Sequence, residues 1–312
     1  MIMTSSILLK TSKILALGID SSRVQSYLSV CDLKWRQKSL WVKVMTSNAH
    51  CNFPALTRKQ WLENCLRNSW VKRICVDRAL GEEGIKLWAD TCYRANKPIF
   101  LRIASNSELP SCRLTIHWRV KRGLDWLGAL VLLFVFSPLL LAISLIIKLS
   151  SPGSILFSQW RVGERGKLFK IYKFRTMTVN AELQHHQVMG QQSGLHKLAI
   201  DPRITLLGKW LRKYSLDELP QLLNVLRGEM SLVGPRPWAL YDALRLEKSG
   251  QKRLSALPGM TGAWQVEARS KLLDLNDVTK CDLEYLSKWS LAQDLKILLL
   301  TVPKVISGFG AY

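Results

Sequence analysis

The sequence predicts a membrane-associated α/β protein with a small N-terminal Rossmann-like module, a re-entrant membrane helix hairpin and a small, mostly helical domain with interfacial helices. Three observations predict this organisation. Strand-like and helix-like segments alternate between residues 40 and 103, an apolar run without charges covers Trp126–Ile147, and Pro- and Gly-containing motifs follow it. With 312 residues, 48% of them hydrophobic, the chain can fill one or two cores, which excludes a wholly disordered protein.

Residues 1–110 are predicted to form a soluble Rossmann-like module. Strand and helix patterns alternate, which is typical of a small parallel sheet; strands are expected at Leu40–Met45, Lys72–Val76 and Ile99–Ile103, and helices at Thr57–Asn68 and Glu82–Ala95. The module is not expected to bind a nucleotide, because the turn Thr46–Ala49 lacks the glycine-rich loop that accepts a pyrophosphate. Its role is open: regulation, docking or solubility. The segment Asn106–Ser111 is the predicted linker.

Residues 111–150 are predicted to lead into the membrane and return. As one helix, Trp126–Ile147 would span about 33 Å, enough for a hydrocarbon core of about 30 Å. Ser137–Pro138 divides the run near its midpoint. Because Pro138 has no N–H to donate to the carbonyl of Phe134, we expect a bend there, with the Ser137 hydroxyl supplying a substitute hydrogen bond.

Basic residues flank both ends of the apolar run: Lys121 and Arg122 precede it, and Lys148 and Arg161 follow. Since basic flanks favour the cytoplasmic side, a hairpin that enters one leaflet and returns is predicted. The alternative is a kinked spanning helix, which would place the following basic region on the opposite side. Lys121 and Asp125 are four residues apart and are expected to form an ordinary helix-surface ion pair.

The most informative stretch of residues 151–312 is an acid pair, Asp217–Glu218. Pro220 is tolerated only in the first turn of a helix, so the pair is predicted to lie at a helix N-terminus. One alternative is a capping box, in which Ser215 and Glu218 satisfy backbone N–H groups. The neighbouring Arg212, with the basic residue after it, favours a phosphorylated ligand instead.

A second motif, Gly234-Pro235-Arg236-Pro237, places an arginine between two prolines of fixed φ. Such a rigid support limits the entropy that Arg236 loses when it grips a phosphate or a nucleotide. The alternative is a tight turn that carries a surface arginine.

Together these motifs resemble the bacterial sugar transferases, the monotopic polyprenyl-phosphate phosphoglycosyl transferases. The resemblance covers about residues 118–312 and is carried by the runs Ser215-Leu-Asp-Glu-Leu-Pro-Gln-Leu, Gly228-Glu-Met-Ser-Leu-Val-Gly-Pro-Arg-Pro and Pro258-Gly-Met-Thr-Gly. It implies that residues 151–312 form the catalytic domain of an enzyme on the cytoplasmic face of the inner membrane. It also implies a re-entrant Ser-Pro helix.

The activity implied by the resemblance is transfer of a hexose 1-phosphate from a UDP-sugar to polyprenyl (undecaprenyl) phosphate, with release of UMP, to initiate an exopolysaccharide or related glycan. A carboxylate can attack phosphorus and form an acyl phosphate, and a neighbouring carboxylate can hold Mg²⁺. By resemblance, Asp217 is the nucleophile that forms a phosphosugar intermediate, and Glu218, with Asp217, binds the Mg²⁺ cofactor.

The resemblance also implies substrate-binding residues. Lys173 and Arg175 match a basic stretch beside the substrate phosphates; the alternative is a solvated or lipid-facing basic strand. Arg212, Pro235, Arg236 and Pro237 are further candidates. Arg269 matches a position near the substrate, although Glu267-Ala268 departs from the family pattern just before it, which puts sugar choice and the path of the loop in doubt.

Two further expectations concern partners. The tail Leu291–Val305 is apolar but interrupted by Pro303, and an interfacial helix on membrane lipids is favoured over a core helix. A net charge of +22 suits anionic membranes and ligands, but the basic residues are dispersed and show no recognition module, so nucleic-acid binding is not expected. An inactive, membrane-tethered binding or regulatory protein of the same fold is the alternative to an enzyme.

Overall fold

The computed structural model of the chain describes residues 14–17, 29–44, 59–102, 116–179, 181, 201–247, 249–267 and 274–308. They belong to two compact units: unit 1 comprises residues 1–103 and 166–168, and unit 2 comprises residues 104–165 and 169–312. The predicted linker Asn106–Ser111, the turn Thr46–Ala49 and the candidate Arg269 lie outside the described residues.

Unit 1 is built on a mixed five-stranded sheet with helices in its connections. Its elements are β1 (Ile14–Leu17), β2 (Ser29–Arg36), β3 (Ser39–Val44), α1 (Lys59–Arg67), β4 (Arg73–Val76), α2 (Gly81–Arg94) and β5 (Ile99–Leu101). The strand order is β1-β2-β3-β4-β5. As predicted, β3, β4 and β5 are parallel, with Leu40, Ile74 and Ile99 in register. The strands β1 and β2, for which the sequence predicts no element, pair antiparallel and make the sheet mixed.

The core of unit 1 lies between this sheet and α2. Trp88 and Ile85 of α2 are fully buried, as are Ile74 and Val76 of β4. Ile85 and Trp88 are three residues apart and therefore share one face of the helix, the spacing expected for a helix that covers a sheet.

Unit 2 contains a long apolar helix and a set of short helices and strands. Its elements are α3 (Ile116–Ser150), β6 (Leu156–Val162), β7 (Leu168–Phe174), α4 (Leu206–Lys213), α5 (Leu222–Leu226), β8 (Ser231–Val233), β9 (Trp238–Ala239), α6 (Leu240–Leu244), β10 (Gly259–Thr261), α7 (Ala263–Glu267), α8 (Leu275–Ser287) and α9 (Leu291–Ser307). One sheet has the order β7-β6-β9, and β8 pairs in parallel with β10. The pairing sets Val233 opposite Thr261.

The helix α3 is long and apolar enough to cross a membrane, with a mean hydropathy of 2.9 over its most apolar window, 11% of which is buried. Throughout its described residues it runs as one helix, without an irregular segment at Ser137–Pro138. The Ser137 hydroxyl donates to the carbonyl of Phe134 at 2.8 Å, which is the substitute bond expected where Pro138 cannot donate. Phe134 itself is 82% exposed.

Both halves of α3 pack against the rest of unit 2. In the first half, Ala129 lies in a buried cluster with Phe169 and Leu222. In the second half, Ile143 and Ile147 lie in another cluster, against which Leu216 packs. The short segment from Leu216 to Leu222 therefore lies beside both halves of the apolar helix.

The expected surface ion pair between Lys121 and Asp125 is instead part of a buried polar network. Both side chains are nearly inaccessible to solvent. The Lys121 Nζ lies 2.6 Å from Asp294 Oδ2, whereas Asp125 Oδ1 is more distant, at 3.7 Å. Asp294 accepts from Tyr285, and Asp125 accepts from the Ser231 hydroxyl at 2.8 Å. The surface prediction is wrong because residues distant in sequence cover this face of the helix.

Candidate active site

The acid pair lies in the first turn of a 3₁₀ helix, Leu216–Gln221, which leads directly into α5. This confirms its predicted place at a helix start. Ser215 has a positive φ of 53°, and its side chain makes no capping hydrogen bond, while Glu218 turns toward two cations. The capping box is therefore not formed.

Glu218 is held by an amine and a guanidinium. Lys173 Nζ of β7 lies 2.6 Å from its Oε1, and Arg236 Nη2 lies 3.2 Å from the same oxygen. Burial opposes ionisation of this carboxyl, but Lys173 and Arg236 outweigh it and lower the pKa of Glu218 well below its ordinary value. Burial in turn lowers the pKa of Lys173, although Glu218 opposes that shift.

Asp217 is 7% exposed, and its pKa is shifted in the opposite direction to that of Glu218. Burial raises its pKa, and the charge of Glu218 adds to the shift, while the cations Lys173, Arg212 and Arg236 oppose it. Two adjacent carboxylates with pKa values driven in opposite directions are typical of a site that assigns them different roles.

Arg212 is presented by α4. Its Nε donates to Thr176 Oγ1 at 2.9 Å. Burial lowers its pKa, and the nearby Asp217 opposes that shift. The structure thus brings five of the predicted residues together in one place: Asp217, Glu218, Lys173, Arg236 and Arg212.

The turn that carries Arg236 connects β8 and β9, and its prolines cannot donate hydrogen bonds. Its carbonyls accept from other parts of unit 2 instead. Gly259 N donates to Pro235 O at 2.9 Å. Three cationic side chains also donate to carbonyls at this turn. Lys121 Nζ donates to Val233 O at 3.0 Å, Arg253 Nη2 to Arg236 O at 2.9 Å, and Arg161 Nη1 to Pro237 O at 3.3 Å.

Sequence reasoning missed Arg253 as a residue of this site. Its side chain is 2% exposed, donates to Asp282 Oδ2 and lies 4.0 Å from the ring centre of Trp238. Burial raises the pKa of Asp282, and Arg253 opposes that shift. The residue does not touch the acid pair; it holds the backbone of Arg236. Its sequence neighbourhood carries no motif that would have pointed to it.

Arg161 of β6 was also missed. It donates to Gln159 Oε1 at 2.7 Å as well as to the turn, and its Nε is buried without a hydrogen-bond partner in the described structure. Burial lowers its pKa, with Arg236 contributing in the same direction and Glu218 against it. Arg161 is therefore a fourth cation in the electrostatic environment of the acid pair. In the sequence it stands out only as a basic residue after the apolar run.

Glycine is required where β10 approaches the turn. A Cβ on Gly259 would lie 2.1 Å from Gly234 N, and a Cβ on Gly262 would lie 2.3 Å from Gly234 O. Both contacts are with backbone atoms, which cannot move aside as a flexible side chain can. The Pro258-Gly-Met-Thr-Gly run thus serves close packing against the Arg236 turn.

Arg175 is not hydrogen-bonded to the acid pair. Its guanidinium donates to Pro152 O at 2.7 Å, to Ser151 O at 3.0 Å and to Ser151 Oγ at 2.6 Å, just after the end of α3. Of the predicted cations, Arg175 therefore lies apart.

The model of the bacterial sugar transferase family matches residues 116–308, more than half of the chain. The chain belongs to the bacterial sugar transferase family. The family predicted from the acid-pair and Gly-Pro-Arg-Pro motifs is thereby confirmed, together with the prediction of a transferase. The match covers α3, both halves of which frame the acid pair.

Three relatives of this sugar transferase illustrate the range of similar proteins. The exopolysaccharide production protein ExoY of Rhizobium meliloti is 39% identical over 70% of this chain and 97% of its own length. The UDP-glucose:undecaprenyl-phosphate glucose-1-phosphate transferase of Caulobacter vibrioides is 42% identical, over 65% of this chain and 75% of its own length. The galactosyl transferase CpsE of Streptococcus agalactiae is 43% identical over 62% of this chain, which spans only 44% of CpsE.

Among the described residues of this sugar transferase, no group of three or more His, Cys, Asp and Glu side chains could hold a metal ion. The carboxylate donors at the site are those of the acid pair. Such a set fits Mg²⁺, because this ion commonly takes one or two carboxylates and completes its octahedron with water and substrate phosphate oxygens.

Proposed function

We propose that the chain transfers a hexose 1-phosphate from a UDP-sugar to undecaprenyl phosphate through a covalent intermediate on Asp217, and so initiates an exopolysaccharide or related glycan. One observation carries the proposal: a buried carboxylate with a raised pKa sits among cations at a helix start, in a member of the bacterial sugar transferase family. The names of the Caulobacter and Streptococcus relatives supply the substrate class.

In the first half-reaction, an oxygen of Asp217 attacks the phosphorus bonded to the sugar. The new P–O bond forms as the P–O bond to UMP breaks, and UMP leaves with the electron pair. A raised pKa makes Asp217 a stronger nucleophile than an ordinary aspartate. In the second half-reaction, a phosphate oxygen of the lipid attacks the same phosphorus, the bond to Asp217 breaks, and the carboxylate is restored.

The charge balance of the site supports a diphosphate ligand. Four cations, Lys173, Arg212, Arg236 and Arg161, face two carboxylates, Asp217 and Glu218. The excess positive charge is partly desolvated, so it interacts strongly with an anion that displaces the remaining water. Arg236 and Lys173, now paired with Glu218, are the side chains we assign to the phosphates.

Glu218 and Asp217 are the residues we propose to hold Mg²⁺. Both cations that contact Glu218 bind Oε1, so Oε2 would remain available as a metal ligand. The ion, when bound, neutralises charge on the diphosphate and on the departing UMP. The low pKa of Glu218 keeps it ionised, which metal binding requires.

We further propose that α3 is re-entrant and enters only the cytoplasmic leaflet of the inner membrane. Both halves of α3 pack beside the same short segment, since Leu222 belongs to the cluster of the first half and Leu216 packs against that of the second. Contact of both halves with one segment of unit 2 supports entry and return on the same side of the membrane. The basic flanks at both ends support the same orientation.

Two neighbouring features complete this membrane proposal. The helix α9 exposes Leu295, Leu299 and Ile306 while burying Ile297, which supports its assignment as an interfacial helix on anionic lipids. In unit 1, the parallel strands β3, β4 and β5 support a reduced Rossmann-like module, which we propose binds no nucleotide.

The test is release of UMP from a panel of UDP-sugars by purified protein, with undecaprenyl phosphate and Mg²⁺. We expect turnover with a UDP-hexose, its loss without lipid or metal, and its loss in Asp217→Asn. The exposed Asp277→Asn variant should retain activity. Mass spectrometry of protein quenched without lipid should place a hexose phosphate on Asp217. Binding of a UDP-sugar with no UMP released across the panel would instead favour a tethered binding protein.

A further inference from the structure

The predicted phosphate-binding residue Arg175 lines a cavity of about 320 Å³ at the end of the apolar helix. The walls come from the last turn of α3, including Ile147 and Ser150, from Arg175 after β7, and from Leu206 and Leu207 of α4. The volume is at the lower end of the range of ligand pockets, about 300–1,000 Å³. The cavity is therefore large enough for the end of a chain molecule.

The positive charge of Arg175 is not neutralised by its own contacts. Within the described structure, its hydrogen bonds reach only uncharged oxygens, those of Ser151 and Pro152. Other cations of unit 2 differ: Lys173 is paired with Glu218, and Arg253 with Asp282. A guanidinium that faces an apolar cavity without a counter-ion suits a ligand with an anionic head and a hydrocarbon body.

The cavity opens on the apolar surface that the proposed function assigns to the membrane. Leu206, one of its lining residues, is 85% exposed. Side chains of this kind are unfavourable in water at such exposure and are favourable against lipid. A hydrocarbon chain can therefore reach the cavity from the bilayer.

The cavity also adjoins the acid pair through shared residues. Thr176, directly after Arg175, accepts from Arg212, whose charge acts on Asp217. Leu207 and Leu216 pack against one cluster, and Leu216 immediately precedes Asp217. Arg175 itself contacts Ser151 and Pro152, separate from the cations that bind Glu218.

We propose that this cavity is the acceptor subsite, in which the first isoprenoid units of the polyprenyl phosphate lie against Ile147, Leu206 and Leu207 while its phosphate contacts Arg175. The inference rests on the proposed function and adds a separate site for the second substrate. The phosphate oxygen held there attacks the phosphosugar on Asp217; the diphosphate P–O bond forms, the bond to Asp217 breaks, and the phosphate group needs no general base because it reacts as an anion.

The two half-reactions allow acceptor binding to be measured separately from the loading of Asp217, which releases UMP. Without lipid, the protein should release one UMP per active site as Asp217 is loaded; with lipid, it should turn over. Ser150→Trp places an indole at the cavity rim, at an exposed position where the fold tolerates it. We expect an unchanged UMP burst and a KM for undecaprenyl phosphate at least about tenfold higher.

Leu149→Trp is the matched control, since it adds the same side chain one residue away at a position that does not line the cavity. It should leave both the burst and the KM unchanged. Arg175→Gln should raise the KM for undecaprenyl phosphate about ten- to a hundredfold, the loss of a charge-assisted hydrogen bond, with Arg175→Lys restoring part of it. An intact burst in each variant shows that it is folded.

Three results would overturn the assignment. Ser150→Trp and Leu149→Trp could raise the lipid KM equally, Ser150→Trp could leave it unchanged, or Arg175→Gln could reduce the burst and the turnover in parallel. A wild-type protein that releases no UMP with or without lipid would refute the proposed function itself, and the acceptor subsite with it. Normal wild-type activity combined with any of the three results refutes the subsite alone.

Discussion

Lys121→Met should destabilise unit 2 strongly, because it removes the cation at the centre of a buried network. The Lys121 Nζ lies 2.6 Å from Asp294 Oδ2 and 3.0 Å from Val233 O, and its side chain is 3% exposed. Methionine fills a similar volume but leaves Asp294 and Asp125 without their shared counter-ion. Removing one partner of a buried ion pair costs about 3–5 kcal/mol, against about 0.2–1 kcal/mol for a surface pair.

The expected loss corresponds to a fall in Tm of roughly 6–20 °C for a domain of this size. Urea unfolding in detergent, followed by tryptophan fluorescence, measures the loss in the free energy of unfolding directly. Trp118 and Trp289, whose rings are 5.2 Å apart, lie beside the network and report its opening. The double variant Lys121→Met/Asp294→Asn should recover part of the loss, since it removes one uncompensated charge.

The control is Lys288→Met at the C-terminal cap of α8, because Lys288 pairs with Glu284 in an exposed i, i+4 arrangement. It should not change the midpoint measurably. If Lys121→Met behaves like Lys288→Met, the network is solvated in solution, and the reasoning from burial is refuted. A loss that the Asp294→Asn double variant does not reduce would show that packing, rather than charge, accounts for the effect.

Three further predictions concern the acid pair and the turn beside it. Arg253→Lys should weaken UDP-sugar binding about tenfold, because it loosens the backbone that carries Arg236. The double variant Arg253→Lys/Arg236→Lys should bind UDP-sugar no more weakly than Arg236→Lys alone. Additive losses of affinity in a titration would show that Arg253 acts independently of Arg236. Gly259→Ala should cost about 3 kcal/mol or more in chemical denaturation, since its Cβ would lie 2.1 Å from Gly234 N, and a loss below about 1 kcal/mol would contradict the close approach. Burial raises the pKa of Asp217, so the folded state holds this proton more tightly than the unfolded chain, and stability falls as pH rises from the ordinary value of about 3.9 toward the folded one. Asp217→Asn should therefore be more stable than the wild type at pH 7 and lose that part of the pH dependence in thermal melts; a lower Tm at pH 7 would refute the raised pKa.

Features governed by local stereochemistry could be predicted from the sequence. Pro220 places the acid pair near a helix start because its ring disfavours the interior of an α-helix; the pair lies in the first turn of Leu216–Gln221, and Pro220 lies just before α5. In the same way, the missing N–H of Pro138 predicts the bond from the Ser137 hydroxyl. The strands β3, β4 and β5 follow from hydrophobic patterning over a few residues.

The contacts that assemble the site could not be predicted, because they join residues far apart in the sequence. Lys121 and Asp294 are separated by 173 positions, and the helical spacing of Lys121 and Asp125 favoured a nearer partner. Arg161 and Arg253 lie in segments without a motif, and each donates a hydrogen bond to the backbone of the Arg236 turn. Burial, which decides the pKa values of Asp217 and Glu218, is a property of the assembled domain.

The support of the Arg236 turn by Lys121, Arg161 and Arg253 makes the reactive centre depend on the whole of unit 2. Its two prolines offer no amide hydrogens, so the turn becomes rigid only when the apolar helix, the β6 strand and the segment after α6 have all arrived. A partly folded or truncated chain would leave Arg236 loose and unable to grip a phosphate. Under the proposed function, a copy in which the apolar helix has not docked would therefore be expected not to consume UDP-sugar.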